Sequence, residues 1–277
     1  MKGIDIIIPL HKYDTEVSEL LKRCLTSISD SMGTNKDITH YITIIGTPEV
    51  CGMENEIREL LKGINNDEEY WSFKLVENKD GEYDFCSQVN YAVKNYCETD
   101  YFMVVEYDDM ITPKWVGMAL PYIKERKKCP MFLPLVEVYD IKNVNNPLYY
   151  INEIGWSSSF VENELGVLTN DNLKDYCNFN ITGSIMKKFD FIKAGGLKPS
   201  IKLSFGYELM LRLSNLYKEL FVVPKVGYFH FINREGSLTS EYYQTMSQKE
   251  GSWWINLALE EYTYKHDREI AYSEIEE

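Results

Sequence analysis

An α/β fold built on a mainly parallel sheet is predicted by three observations. Short apolar runs rich in Val, Ile and aromatic residues alternate with longer stretches whose apolar residues recur at helical spacing, starting at residue 4. Strands separated by helices imply right-handed crossovers and parallel pairing. One run, residues 101–106, ends in Glu106, Asp108 and Asp109, three acids within four positions. Carboxylates are costly inside a protein, so this strand must deliver them to an edge, and the ligands of such sheets bind beyond the carboxyl ends of the strands.

Each element follows in order. Residues 4–10 form a strand closed by Pro9, and 15–31 place Val17, Leu20, Leu21, Cys24, Leu25 and Ile28 on one helical face. Residues 41–45 and 71–76 repeat the strand signal, with helices at 54–61 and Phe85–Tyr96. The run at 101–106 is too short for a helix, and its Val104-Val105 pair suits a strand covered on both faces. A helix over 113–127 follows, for which Thr112 and Pro113 fit the N-cap and N1 positions. Residues 131–140 read as a strand, 142–168 as an irregular substrate-facing segment rich in Asn, Ser and aromatic residues, and 180–186 as another strand. A short helix at 187–194, ended by Gly195-Gly196, and a helix at 207–217 precede a strand pair or long strand at 220–231. A last helix over 244–266 has Trp253, Trp254 and Leu257 as its packing stripe, before an acidic tail.

Composition supports a packed globular chain. Of 277 residues, 44% are hydrophobic and 14% aromatic, so disorder is excluded. A formal charge of −14 argues against affinity resting on a broad basic nucleic-acid footprint. The six cysteines are scattered without a C-x-x-C pair, which indicates neither a zinc site nor a thioredoxin motif and suits a reduced compartment. With no signal-peptide pattern and no apolar stretch of membrane-spanning length, the expectation is a soluble, cytoplasmic protein without a membrane span.

The acid cluster has two readings. Glu106, Asp108 and Asp109 crowd oxygen ligands together, which suits a hard divalent cation such as Mn²⁺ or Mg²⁺ that keeps positions open for phosphates. The same residues also fit a surface turn that starts a helix. His230 is similarly divided between a metal ligand and an ordinary strand histidine packed between Phe229 and Phe231.

The order of landmarks resembles the family 2 glycosyltransferases of the GT-A fold over most of residues 3–240. The resemblance rests on Asp5-Ile6-Ile7-Ile8-Pro9-Leu10 with the helix after it, Gln88-Val89-Asn90-Tyr91-Ala92, and Glu106-Tyr107-Asp108-Asp109 in place of a D-x-D-D motif. Asn180-Ile181-Thr182-Gly183-Ser184 with Ala194-Gly195-Gly196-Leu197, the helix containing Glu208 and Arg212, and Tyr228-Phe229-His230 with Arg234, Ser237 and Leu238 complete it. It implies a GT-A domain over 1–240, with a donor half to about residue 128 and an acceptor half from about 129, and a helical extension with acidic tail over 241–277. It also implies a metal-dependent, inverting transfer of a sugar from a nucleoside-diphosphate donor to a hydroxyl acceptor. Pro9, Leu10, His11, Asn90, Glu106 and Arg234 would then contact the donor, and Asp108, Asp109 and His230 would hold Mn²⁺ or Mg²⁺. Lys225 and Arg212 are further possible phosphate partners.

Two departures from that family stand out. Where many members place Glu-Asp before the helix, with the Asp as catalytic base, this chain has Phe205-Gly206; Glu208 is the nearest carboxylate and becomes the expected base, against a plain helix-start acid. The Asp-rich turn after the second strand is replaced by Ile45-Gly46-Thr47-Pro48-Glu49, which leaves the nucleotide open; Asp80 and Asp84 are alternative contacts or a solvated turn. Two other functions remain in view: transfer to a hydroxymethylated DNA base, and a non-catalytic sugar- or nucleotide-binding module on a degenerate scaffold. The absence of a Gly-rich, Lys/Arg-bearing loop after the first strand disfavours a pyrophosphorylase.

Overall fold

A computed structural model describes residues 1–64, 71–157, 164–201, 203–235, 237, 245 and 247–263. The first βα unit shows how local chemistry sets the elements. β1 (Gly3–Leu10) is buried along its whole length, as its run of Ile residues requires. The Asp14 side chain accepts from Val17 N at 2.9 Å and starts α1 (Thr15–Thr34), whose buried face carries Val17, Leu21, Cys24, Leu25 and Ile28. β2 (Thr39–Gly46) leads to α2 (Pro48–Gly52), capped by Thr47 with Pro48 in the first turn, and then to α3 (Glu54–Ile64). β3 (Trp71–Glu77) is followed by α4 (Phe85–Tyr96), capped by Asp84, and by β4 (Tyr101–Val104).

β4 stops two residues short of Glu106, and a short strand not foreseen in the sequence, β5 (Met110–Ile111), follows the acids. α5 (Trp115–Glu125) begins later than expected. Thr112 does not cap it; its hydroxyl donates to Val226 O at 2.9 Å. β6 (Met131–Asp140) matches its expected bounds. The segment expected to be irregular holds β7 (Tyr149–Ile151), a 3₁₀ turn at Glu153–Trp156 and β8 (Val167–Leu168), then α6 (Asn170–Asp175). The strand expected over 180–186 shrinks to β9 (Ile185–Lys187), because Thr182 N and Oγ1 both bond Asn180 Oδ1 and turn the chain there. α7 (Lys188–Lys193), α8 (Phe205–Tyr217), β10 (Leu220–Ile232) and α9 (Gln248–Thr263) are the remaining elements among the described residues. On α9 the inward side carries buried Ala258 flanked by Ile255 and Leu259, whereas Trp253 is 53% exposed, so the expected Trp253–Trp254–Leu257 stripe is displaced. The acidic tail after residue 263 and Leu238 lie outside the described residues.

The ten strands form one sheet in the order β3-β2-β1-β4-β9-β6-β10-β5, with β7 on β6 and β8 on β10. Its long ladders, β1–β2, β2–β3 and β6–β10, are parallel, as is β1–β4; the antiparallel ladders of β5, β7, β8 and β9 are two or three residues long. The sheet is therefore mostly parallel, with helices packed on it and two apolar cores. Asp5, fully buried in β1, accepts from Glu98 N, Thr99 N and Thr99 Oγ1, which satisfies its carboxylate and ties β1 to the turn before β4.

Candidate functional site

β1 and β4 run parallel in the register Ile7↔Val104, so both deliver their following residues to the same edge of the sheet. Pro9, Leu10 and His11 arrive from β1, and Glu106, Asp108 and Asp109 from the turn after β4, which is closed by Asp109 N donating to Glu106 O at 3.1 Å. β10 passes between β6 and β5 and brings His230 over the same turn. All of these except Asp109, which is buried behind the turn, line a cleft of about 340 Å³ whose other walls include Asp84, Phe85, Gln88, Tyr149, Asn178 and Arg234.

Asp109 is 1% exposed and holds β10 with both oxygens: Oδ1 accepts from Phe231 N at 2.8 Å, and Oδ2 from His230 Nδ1 at 2.9 Å. Asp108 faces the other way. Its Oδ2 accepts from Arg234 Nε at 2.8 Å, and Arg234 also donates to the Tyr107 hydroxyl at 2.8 Å. Arg23, on α1, donates to the Asp108 carbonyl at 2.5 Å and lies over the Phe231 ring, 4.0 Å from its centroid. The three acids thus sit between two arginines and a histidine, which offsets a repulsion they could not bear alone.

The electrostatics record this crowding. Burial, reinforced by the Asp109 and Asp108 charges, pushes the Glu106 carboxyl up to about 8. Burial and Asp109 also raise Asp108, against the opposing pull of Arg234. Burial alone would lower His230, but the charge and hydrogen bond of Asp109, with Glu106 and Asp108, outweigh it and raise the imidazole to about 9. Burial, with Lys12 and Arg234, lowers His11.

Glu106, Asp109 and His230 each offer a ligand atom within 4.8 Å of the others. Two carboxylates and an imidazole whose Nδ1 is fixed by a carboxylate form a donor set suited to Mn²⁺ or Mg²⁺, so the residues fit the metal the acid cluster suggested. Asp108, expected as the principal ligand, lies outside that trio and pairs with Arg234 instead.

The other expected site residues divide. Pro9, Leu10, His11, Glu106, Asp108, His230 and Arg234 line the cleft. Asn90 does not: Nδ2 donates to Leu197 O and Oδ1 accepts from Leu197 N, both at 2.7 Å, so its amide is a brace between α4 and the chain after α7. Glu208 is fully buried in α8, paired with Arg212 (2.6 Å) and Lys198 (2.9 Å), and does not line the cleft. Arg212 is the helix residue pairing with an acid, its remaining donors reaching Ala194 O and Gly196 O. Lys225 is exposed on β10 and is not a cleft residue. Asp84 lines the cleft while capping α4; Asp80 lies in an exposed turn. Arg23, Tyr149 and Asn178 were not singled out by sequence, and Tyr107 and Tyr228 entered only as members of quoted motifs with no role of their own. Only Tyr149 lay in a segment read as substrate-facing.

No protein-family model matches the sequence, and no curated protein sequence matches it. Solved structures do. The crystal structure of S. aureus TarS superposes with a TM-score of 0.54 at 15% identity, covering 94% of this chain and 48% of that one, so the chain spans about half of its length. TarS 1-349 in complex with UDP-GlcNAc gives 0.61 at 14% identity over 100% of this chain and 76% of that one. The mannosyltransferase PcManGT from Pyrobaculum calidifontis, in complex with GDP-Man and Mn²⁺, gives 0.64 at 9% identity over 92% and 64%. With its strand order, its acid-bearing turn after β4 and these superpositions, the chain has the GT-A fold of nucleotide-sugar glycosyltransferases.

Proposed function

We propose that the protein is a metal-dependent, family 2-like glycosyltransferase that moves a sugar from a nucleoside-diphosphate donor to a hydroxyl acceptor. The observation that carries the proposal is the meeting of Glu106, Asp109 and His230 at the carboxyl edge of a GT-A sheet, where Glu106 and His230 line a cleft large enough for a ligand and Asp109 lies buried behind them. The donors named in the two neighbours' titles, UDP-GlcNAc and GDP-Man, belong to the substrate class such a cleft would take.

Glu106, Asp109 and His230 would hold Mn²⁺ or Mg²⁺, which stabilises the charge developing on a diphosphate leaving group. Asp109 fixes the His230 tautomer by accepting from Nδ1, so Nε2 is the nitrogen left for ligation. Arg234, steadied by Tyr107 and Asp108, sits on the cleft wall as a planar cation for phosphate oxygens. Pro9, Leu10 and His11 line the same cleft. Glu208, expected as the base, is sequestered by Arg212 and Lys198, so the proposal assigns it no proton transfer and leaves out the stereochemical course.

The test is a panel of nucleotide sugars screened by thermal shift with and without Mn²⁺, followed by a donor-hydrolysis assay. Stabilisation that needs both Mn²⁺ and one donor, together with hydrolysis, supports the proposal. Metal-dependent donor binding that survives Asp109→Asn would overturn it, and binding without turnover would favour a non-catalytic module.

A further inference from the structure

The cleft has a second end whose chemistry differs from that of the acids. Val138 on β6 is paired with His230 on one side and with Tyr149 of β7 on the other, and residues opposite one another across a ladder share a face. Tyr149, Val138 and His230 are therefore in one row, of which Tyr149 and His230 line the cleft and Val138 is buried between them. At about 4.8 Å per strand, Tyr149 stands roughly 10 Å from His230, about the span of one sugar ring beside a transferring carbon. Tyr149 is 46% exposed, and neighbouring Leu148 and Tyr150 are also exposed.

Asn178 lines the same cleft, and its amide makes no hydrogen bond among the described residues. The chain around it is held against β7 by Asn152, whose Nδ2 donates to Asn180 O and whose Oδ1 accepts from Asn180 N, both at 3.0 Å. An aromatic face beside a planar amide with open donor and acceptor is the combination that binds a polyhydroxylated ring: the apolar C–H face lies on the tyrosine, and the hydroxyls bond the amide. Tyr149, Ile151, Asn178, Ile232 and Asn233 bring no charge to this end, and the Asn233 amide is backed by the Asp140 carboxylate at 2.9 Å. Among the described residues lining the cleft, Arg234 is the one arginine or lysine and Asp108 already engages it, so an anionic acceptor would meet a carboxylate close by in a chain that carries −14 overall.

We infer that Tyr149 and Asn178 form the acceptor subsite, and that the acceptor is an uncharged sugar ring offering a free hydroxyl. This rests on the acid cluster being the donor end. The experiment has two arms. Without donor, saturation-transfer NMR is run with neutral methyl glycosides and disaccharides, sugar phosphates, and an oligonucleotide containing a hydroxymethylated pyrimidine. With the donor found by thermal shift, the same compounds are tried as acceptors. The expected result is binding and glycosylation of a neutral sugar, with Tyr149→Ala and Asn178→Ala each raising the acceptor KM about tenfold more than the donor KM, and Tyr149→Phe restoring the acceptor KM. The inference is overturned if no neutral sugar binds, if the oligonucleotide or a sugar phosphate is preferred, or if the two alanine variants weaken donor and acceptor alike. Neutral-sugar binding that depends on Tyr149, in a protein that binds no nucleotide sugar, would keep the subsite and remove the transferase proposal.

Discussion

Asp109 joins the turn after β4 to β10 through both of its oxygens, so replacing it acts on structure and ligation together. Asp109→Asn keeps the shape but puts an amide N–H where one oxygen accepted a bond; Mn²⁺-dependent thermal stabilisation by donor should disappear, with a loss of about 1–3 kcal/mol in urea unfolding. His40 provides a separate, pH-dependent test far from the cleft. It is fully buried, with Nδ1 2.9 Å from Ile38 O and Nε2 without a partner, and burial lowers its pKa to about 4. The unfolded chain therefore binds the proton more readily, and this contribution to stability is intact above about pH 6.5 and lost as the pH falls towards 4. Between pH 7 and 5 the wild type should lose roughly 2 kcal/mol more than His40→Asn, measured by urea unfolding at each pH. At this scale sequence reading was uneven. Acids gathered by consecutive numbering were legible, but their partners Arg23 and Arg234 lie 85 and 126 residues away, and no local pattern marks such a pairing.

Among the elements, α8 carries the sharpest departure from expectation. Its first residue, Phe205, packs on Phe85 of the cleft wall with ring centroids 5.3 Å apart, so an aromatic contact stands where the resembled family has its base. Glu208, one turn further on, points into the interior and neutralises Arg212 and Lys198. Glu208→Gln should cost about 3–5 kcal/mol by taking the carboxylate from buried Arg212, while kcat per folded molecule remains; a large fall in kcat in protein of normal stability would restore Glu208 as the base. Asn90→Ala should likewise act on stability, by about 1–3 kcal/mol in urea unfolding, because it removes two bonds to Leu197. Long elements were legible because their periodicity spans several turns and their caps, Asp14 and Asp84, are local. β5, β8 and β9 were not, because two or three residues have no period; the sheet's existing edges define them.

Across the whole molecule, the sheet interleaves early and late chain. β4 touches β9, and β10 reaches past β6 to pair with β5 beside the acids. The parallel half was legible from alternating strands and helices, whereas the place of β9 between β4 and β6 rests on short antiparallel ladders to residues more than fifty positions away and has no sequence signature. A fragment ending at residue 128 contains all three acids but lacks His230 and Arg234. It should show no Mn²⁺-dependent donor stabilisation in the thermal-shift assay that detects it in the full chain.

β10 is the last strand in the sequence order, and the cations that counter the acid turn arrive on it or just after it. During synthesis, Glu106, Asp108 and Asp109 leave the ribosome more than a hundred residues ahead of those partners, and for that interval three carboxylates compete for protons and stray cations with only Arg23 to answer them. Under the proposed function, readiness to take a donor would thus be a property of the finished chain, because the cations beside the acid turn arrive last.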